Sequence, residues 1–101
     1  MEFDDFATTH WHYATFPVKS NQLEFALKIY PHVGTKPFSG TRATEITKHP
    51  NLAALLSGLR GGGVLRKVPA VTQVHHYQFT QRFIDRIALI QERYEKEVAA
   101  Q

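Results

Sequence analysis

The 101-residue sequence contains no cysteine. Disulfide bonds are therefore excluded, and so is a structural zinc site built from thiolates. No run of about 18 consecutive apolar residues occurs, so the sequence predicts no membrane-spanning helix. The first residues do not pair a basic stretch with an apolar one, which is the pattern of a secretion leader. From these absences we expect a cytoplasmic protein that does not contact a membrane.

The net charge is also small, because 12 Lys and Arg residues oppose 9 Asp and Glu residues and leave a formal charge of +3. This balance permits contact with nucleic acid without requiring it. Hydrophobic residues make up 43% of the chain and charged residues 21%, as in an ordinary folded domain. At this length we expect one domain with a single modest core.

Signatures of enzymatic chemistry are missing as well. The run Gly61–Gly63 is not followed by the lysine and hydroxyl residue of a phosphate-binding loop. His75 and His76 are neighbours on an expected strand, so they point to opposite faces. His10 and His12 lack carboxylate or cysteine partners at a matching spacing. We therefore predict no enzymatic activity, no metal site and no cofactor.

What the sequence does contain is an ordered series of helices and strands. Residues 21–33 are expected to form the first helix, because apolar residues recur on one face and a second apolar row lies beside it. Pro31 and Gly34 are expected to end this helix.

Two short helices follow. Residues 42–49 are expected to form the first of them, which Pro50 interrupts. Asn51 offers an N-cap for the next helix. Residues 51–60 then repeat leucine at helical spacing, which predicts one buried stripe. The three glycines that come next end this helix.

After the glycines, the hydrophobic period changes to that of strands. Residues 64–68 have the apolar and β-branched content of a short strand, and residues 73–79 alternate in the manner of a second. Pro69 and Ala70 form a tip between them. The pattern predicts a β-hairpin over residues 64–79.

The order of helix, turn, helix and hairpin is that of a winged helix-turn-helix. The tract LRGGGVLRK resembles the junction between recognition helix and wing in that family. The resemblance covers residues 22–80 and implies an α+β, mostly helical fold, in which a three-helix core carries a β-hairpin wing. Residues 1–19 are then an aromatic N-terminal arm, 20–80 the winged-helix domain, and 81–101 an extra C-terminal helix.

The resemblance also implies a function, namely sequence-specific or shape-reading binding of double-stranded DNA by a small dimeric transcriptional regulator of the prokaryotic or phage type. In this family the second helix of the pair enters the major groove and the wing lies along the backbone. In this sequence they correspond to residues 51–60 and 64–79. The side chains that can donate to bases or phosphates are Arg42, Lys48, Asn51, Ser57, Arg60, Arg66 and Lys67.

The outer face of the helix over residues 51–60 also favours a second interpretation. Ala53, Ala54 and Gly58 offer no hydrogen-bonding side chain there, whereas DNA-reading helices usually present several long polar residues. A small, apolar face suits close packing against a protein. The alternative is a winged-helix module that binds a protein partner, as a subunit or inhibitor of a larger complex, and does not bind DNA itself.

The N-terminal arm is expected to pack Trp11 and Phe16 onto the domain, since a tryptophan is usually anchored where it can bury its area. Alternation over residues 11–15 suggests a short strand in this arm. An arm that crosses to a second subunit is the other interpretation.

The C-terminal helix over residues 81–101 places apolar side chains at spacings of four, three and four, as in a heptad seam. In a lone domain this stripe would fold back on the core. Terminal helices of this kind often join two winged-helix regulators. We therefore predict a homodimer whose interface includes Phe83, Ile87, Ile90 and Tyr94.

Overall fold

A computed structural model of the chain describes residues 2–49, 52–69 and 75–100. Within these ranges the protein is α+β and mostly helical, with five helices and a small three-stranded sheet. The fold class is confirmed at this level. In chain order the elements are α1 (Phe3–Thr9), α2 (Ser20–Val33), β1 (Phe38–Ser39), α3 (Gly40–Thr47), α4 (Leu52–Gly61), β2 (Leu65–Val68), β3 (His76–Phe79) and α5 (Gln81–Ala100). None of these helices is long and apolar enough to cross a membrane.

The three strands form one antiparallel sheet in the order β1–β3–β2. β2 and β3 make the expected hairpin, in which Leu65 lies opposite Phe79. β1 pairs with the other edge of β3, where Phe38 lies opposite Tyr77. The sequence did not predict β1, because a strand of two residues is too short to show alternation. Ala70, at the expected tip, lies outside the described residues.

α2 ends at the expected residue, Val33, but Pro31 lies inside the helix and does not help to end it. The helix continues through Pro31 to Val33 and stops at Gly34, whose φ of 57° lies in the left-handed region. Leu27 and Ile29 in the turns around the proline are buried in the core. Their packing outweighs the hydrogen bond that Pro31 cannot donate, as tertiary contacts often do.

Of the two helices that follow, α3 ends at Thr47, two residues before the expected His49, and α4 ends in the glycine run as expected. The C-cap of α3 is Lys48, which has a left-handed backbone with φ of 55°. α4 ends at Gly61, and the turn that follows has Gly63 at φ of 79°. The break expected at Pro50 and the cap expected at Asn51 lie outside the described residues.

The N-terminal arm is more ordered than the sequence predicted. Residues 3–9 form α1, and the residues that follow make turns rather than a strand. Trp11 and Phe16 are buried, as expected, with ring centroids 5.1 Å apart. Trp11 also contacts Phe83 of α5 at a centroid distance of 5.7 Å. The arm is therefore part of the same core as the rest of the chain.

α5 packs along this arm. Phe83, Ile87 and Ile90 are buried, and the ring of Tyr94 lies 5.3 Å from that of Phe6 in α1. The stripe proposed as a dimer seam thus contacts the protein's own core, as expected for a lone domain. The homodimer stays a prediction. One buried cluster draws residues from the arm, the middle segment and α5, and the division of the chain into three segments stays a prediction too.

Candidate nucleic-acid interface

An open groove of about 600 Å³ lies between the C-terminal half of α4 and strand β2. Three of its six lining residues are cationic, and none of these six is acidic. The lining residues are Ser57, Arg60, Gly61, Leu65, Arg66 and Lys67. The groove is therefore a positively charged surface built by two consecutive elements of the chain.

The helical period of α4 determines which side chains reach this groove. Leu56 and Leu59 are buried against the core. Because the helix turns by 3.6 residues, Ser57 and Arg60 then lie on the exposed side. Arg60 also lies in the last turn of α4. A cation there interacts favourably with the negative end of the helix dipole.

Strand β2 supplies the other two cations. Leu65 is buried, whereas both Arg66 and Lys67 are exposed. Strict alternation would bury Lys67 on the same face as Leu65. Its exposure means that the core covers only the beginning of the strand, which leaves both basic side chains free to contact a large ligand.

Hydrogen bonds across the hairpin orient Arg66. Its Nη2 donates to Oε1 of Gln78 at 2.5 Å, and Nε2 of Gln78 donates to the carbonyl oxygen of Thr35 at 2.7 Å. Gln78 is directly opposite Arg66 in the strand register. Both the oxygen and the nitrogen of the Gln78 side-chain amide thus have partners. The Arg66 guanidinium has five N–H groups, so it keeps donors for a ligand.

Sequence reasoning did not include Gln78 in the site. The predicted strands left the length of the turn between them open, so no residue could be paired with Arg66. The register of a hairpin follows from its turn. The signal that could have identified Gln78 was its position on a strand, together with its capacity to donate and accept at once.

The remaining predicted DNA contacts lie elsewhere. Arg42, in the first turns of α3, pairs with Glu45 at 3.5 Å, and both side chains are more than half exposed. Lys48 is exposed at the other end of α3. Neither residue lines the groove. Asn51 lies outside the described residues. The groove therefore brings together four of the seven predicted residues.

Three small residues were expected on the outer face of α4, and two of them lie there. Ala53 and Ala54 are exposed. Gly58 is not on that face, because a Cβ at this position would stand 2.1 Å from Nε2 of Gln22 in α2. The expectation for Gly58 was wrong, since α4 approaches α2 closely at this point.

In the part of the chain that the structure describes, no group of three or more His, Asp or Glu side chains could hold a metal ion. Comparison of the chain with models of known protein families, with curated proteins and with solved structures gives no match.

Proposed function

We propose that the protein is a winged helix-turn-helix protein that binds double-stranded DNA through the α4–β2 groove, as a small transcriptional regulator. The observation that carries this proposal is the single groove in which Arg60 of α4 adjoins Arg66 and Lys67 of β2. Phosphate contacts from Lys and Arg supply most of the affinity of such proteins for DNA. A groove with three cations and no acidic lining residue suits that role.

The order of elements supports the same proposal. The helix pair α3 and α4 leads directly into the β2–β3 hairpin, which is the succession expected of a helix-turn-helix followed by its wing. The exposed half of α4 is also free of bulky side chains at Ala53 and Ala54. A helix face with such small side chains can approach the floor of the major groove, which is about 12 Å wide.

The contacts divide into two kinds in this proposal. Ser57 and Arg60 lie on the helix that enters the major groove, where they can donate to base edges or phosphates. Arg66 and Lys67 lie on the wing and bind backbone phosphates. With so few base-reading side chains on α4, recognition depends mainly on the backbone and on DNA shape. A homodimer would present two such helices to half-sites about 34 Å apart.

The bare face of α4 favours a second candidate function. Ala53 and Ala54 are exposed and carry no hydrogen-bonding group. In this alternative the winged helix packs α4 against a protein partner and does not bind DNA. Gly58 has no part in that contact, because it already lies against Gln22.

Fluorescence anisotropy with a labelled random-sequence duplex tests the first proposal. We expect wild-type affinity to fall steeply between about 50 and 200 mM salt, because bound phosphates release their counterions. Arg60→Gln combined with Lys67→Gln should weaken binding and lower the slope of log K against log salt by about 2, since each phosphate contact contributes about 0.9. Light scattering on the same samples gives the mass of the protein and so tests the predicted dimer.

The matched control is Lys96→Gln, which removes one positive charge from an exposed position on α5. It should leave duplex affinity unchanged. If the folded wild-type protein does not bind the duplex at low salt, or if the double variant binds as tightly as wild type, the DNA proposal is wrong. The protein-interaction candidate would then be the better account of the α4 face.

A further inference from the structure

A second pocket, of about 240 Å³, lies between the end of α1 and helix α5. It shares no residue with the α4–β2 groove. Its lining combines three nitrogen-rich side chains with two aliphatic ones. The lining residues are His10, Arg86, Leu89, Ile90 and Arg93.

The charge of this pocket is positive and poorly neutralised. Neither Arg86 nor Arg93 meets a carboxylate among the residues that line the pocket. Arg93 approaches Glu97, one turn further along α5, with its Nε at 3.9 Å from the carboxylate. Both of these side chains are at least half exposed, so solvent screens the pair. An anion that entered the pocket would therefore meet two available guanidinium groups.

Arg86 is incompletely satisfied in the protein. Its Nη2 donates to the carbonyl oxygen of His10 over a long distance of 3.4 Å. Its Nε is buried and, in the described structure, has no hydrogen-bond partner. Buried N–H groups without an acceptor are rare, so this guanidinium is poorly satisfied inside the protein. Because Nε is closed to solvent, a ligand in the pocket binds the Nη groups. A carboxylate offers two oxygens in the geometry that a guanidinium binds best.

The rest of the lining is fixed and partly apolar. Nδ1 of His10 donates to the carbonyl oxygen of Phe6 at 2.9 Å, and the imidazole stacks on the Phe6 ring at 4.0 Å. Ile90 is buried at the pocket, whereas Leu89 has 58% of its surface exposed. Large apolar side chains this exposed are uncommon in the described chain, and this one lies beside two cations.

We propose that this pocket binds a small aliphatic carboxylate. The carboxylate lies on Arg86 and Arg93, and the hydrocarbon chain covers Leu89 and Ile90. The pocket, of about 240 Å³, has room for a short aliphatic acid such as hexanoate.

Two-dimensional NMR of the ¹⁵N-labelled protein, titrated with sodium hexanoate at constant ionic strength, tests this site. We expect saturable shifts of the amides of Arg86, Leu89, Ile90 and Arg93, and none with hexanamide, which has the same shape without the charge. Arg93→Gln should weaken hexanoate binding at least fivefold, and this exposed residue can be replaced without disturbing the core. Arg86→Lys, which keeps the charge but loses the bidentate geometry, should weaken it as well.

Lys96→Gln is again the control, because it removes a charge from the same helix outside the pocket, and its affinity for hexanoate should equal that of wild type. The proposal is overturned if hexanoate gives no saturable shift at these amides, or if hexanamide shifts them equally. Unchanged hexanoate affinity in Arg93→Gln also overturns it. Tighter binding of inorganic phosphate than of hexanoate at the same amides would overturn the aliphatic carboxylate as the ligand class.

Discussion

Gly58 of α4 lies directly against Gln22 of α2, where a Cβ on the glycine would stand 2.1 Å from Nε2 of the glutamine. The glutamine is held in this position, because its Oε1 accepts a hydrogen bond from the backbone N–H of Lys19 at 2.9 Å. A glycine inside a helix costs about 1 kcal/mol relative to alanine. The close approach of the two helices explains why that cost is tolerated at this position.

This contact predicts a coupling between the two positions. Gly58→Ala gains about 1 kcal/mol of helix propensity but displaces Gln22 and its hydrogen bond, worth about 0.5–1.5 kcal/mol. We therefore expect little net change in the free energy of unfolding. In a Gln22→Ala background, the same substitution should stabilise the protein by about 1 kcal/mol. Denaturant titration of all four proteins measures the coupling, and effects that add within about 0.3 kcal/mol would refute the contact.

Two neighbouring glycines at the end of α4 should respond differently to alanine. A Cβ on Gly62 would stand 2.2 Å from Cγ1 of Val18 and 3.3 Å from the backbone oxygen of Pro17, whereas one on Gly61 meets no atom within 4 Å. Val18 is buried, so it cannot move aside freely. We expect Gly62→Ala to lower the free energy of unfolding by about 1–3 kcal/mol.

Gly61→Ala is the matched control. Because Gly61 is helical and a Cβ there meets no atom, this variant should be as stable as wild type or more stable by up to about 1 kcal/mol. Thermal unfolding followed by circular dichroism distinguishes the two, since 1 kcal/mol corresponds to about 4–8 °C for a domain of this size. Equal melting temperatures for both variants would mean that the arm does not lie against the end of α4.

The elements that the sequence predicted are those with long periodic patterns. α2, α4 and α5 each carry apolar stripes at helical spacing, and these three helices lie close to their expected bounds. α1 was missed, although Phe3, Phe6 and Ala7 have helical spacing. An isolated helix of seven residues is not stable. It forms because Phe6 packs against Tyr94, a contact between residues far apart in the sequence.

The site was predictable only where local pattern determined it. The leucines of α4 set the exposed face that carries Ser57 and Arg60, and the resemblance to a wing added Arg66 and Lys67. The helical pattern could not reveal that Gly58 faces α2, because it contains no information on where a neighbouring helix lies. The pocket between α1 and α5 was missed for the same reason, since its residues come from opposite ends of the chain.

The shared core predicts that the arm unfolds together with the rest of the protein. Trp11, the single tryptophan of the chain, is buried against Phe83 and reports on the arm. Trp11 fluorescence and far-ultraviolet circular dichroism should therefore give the same midpoint in denaturant. An earlier fluorescence transition would show that the arm is a separate unit.

A substitution in α1 tests how much the arm contributes to the stability of this shared core. Phe6 is 2% exposed, so we expect Phe6→Ala to lower the free energy of unfolding by about 3–5 kcal/mol. Val98→Ala, at a position that is 51% exposed, should change it by less than about 0.5 kcal/mol. Denaturant titration measures both, and a small effect of Phe6→Ala would show that α1 contributes little to stability.

Lys48 should be a site of strain that glycine relieves. It is the non-glycine residue with positive φ in the described chain, at 55°. The left-handed conformation costs a residue with a Cβ about 1–2 kcal/mol, and glycine avoids this cost. The greater conformational freedom of glycine in the unfolded chain offsets about 0.4–1 kcal/mol of the resulting stabilisation. We expect Lys48→Gly to be more stable than Lys48→Ala by about 0.5–1 kcal/mol, measured by denaturant titration. Equal stabilities would contradict the left-handed conformation.

If the protein binds DNA as proposed, Gln78 should affect that binding through Arg66 and not through its own contact with DNA. Gln78→Ala removes the acceptor that orients the guanidinium but leaves every charge of the groove in place. An arginine that must be immobilised on binding costs about 0.5–1.5 kcal/mol, so we expect duplex affinity to fall about two- to tenfold. The slope of log K against log salt should stay unchanged, because the number of phosphates bound is the same.

Arg66→Gln provides the contrast to this variant. It removes the phosphate contact that we propose for Arg66, so anisotropy titrations should show a slope that is lower by about 0.9 together with weaker binding. A lowered slope in Gln78→Ala would mean that Arg66 no longer reaches phosphate without the glutamine. Unchanged affinity would mean that the hydrogen bond between Gln78 and Arg66 does not prepare the guanidinium for DNA, and Arg66 would then act as a mobile charge.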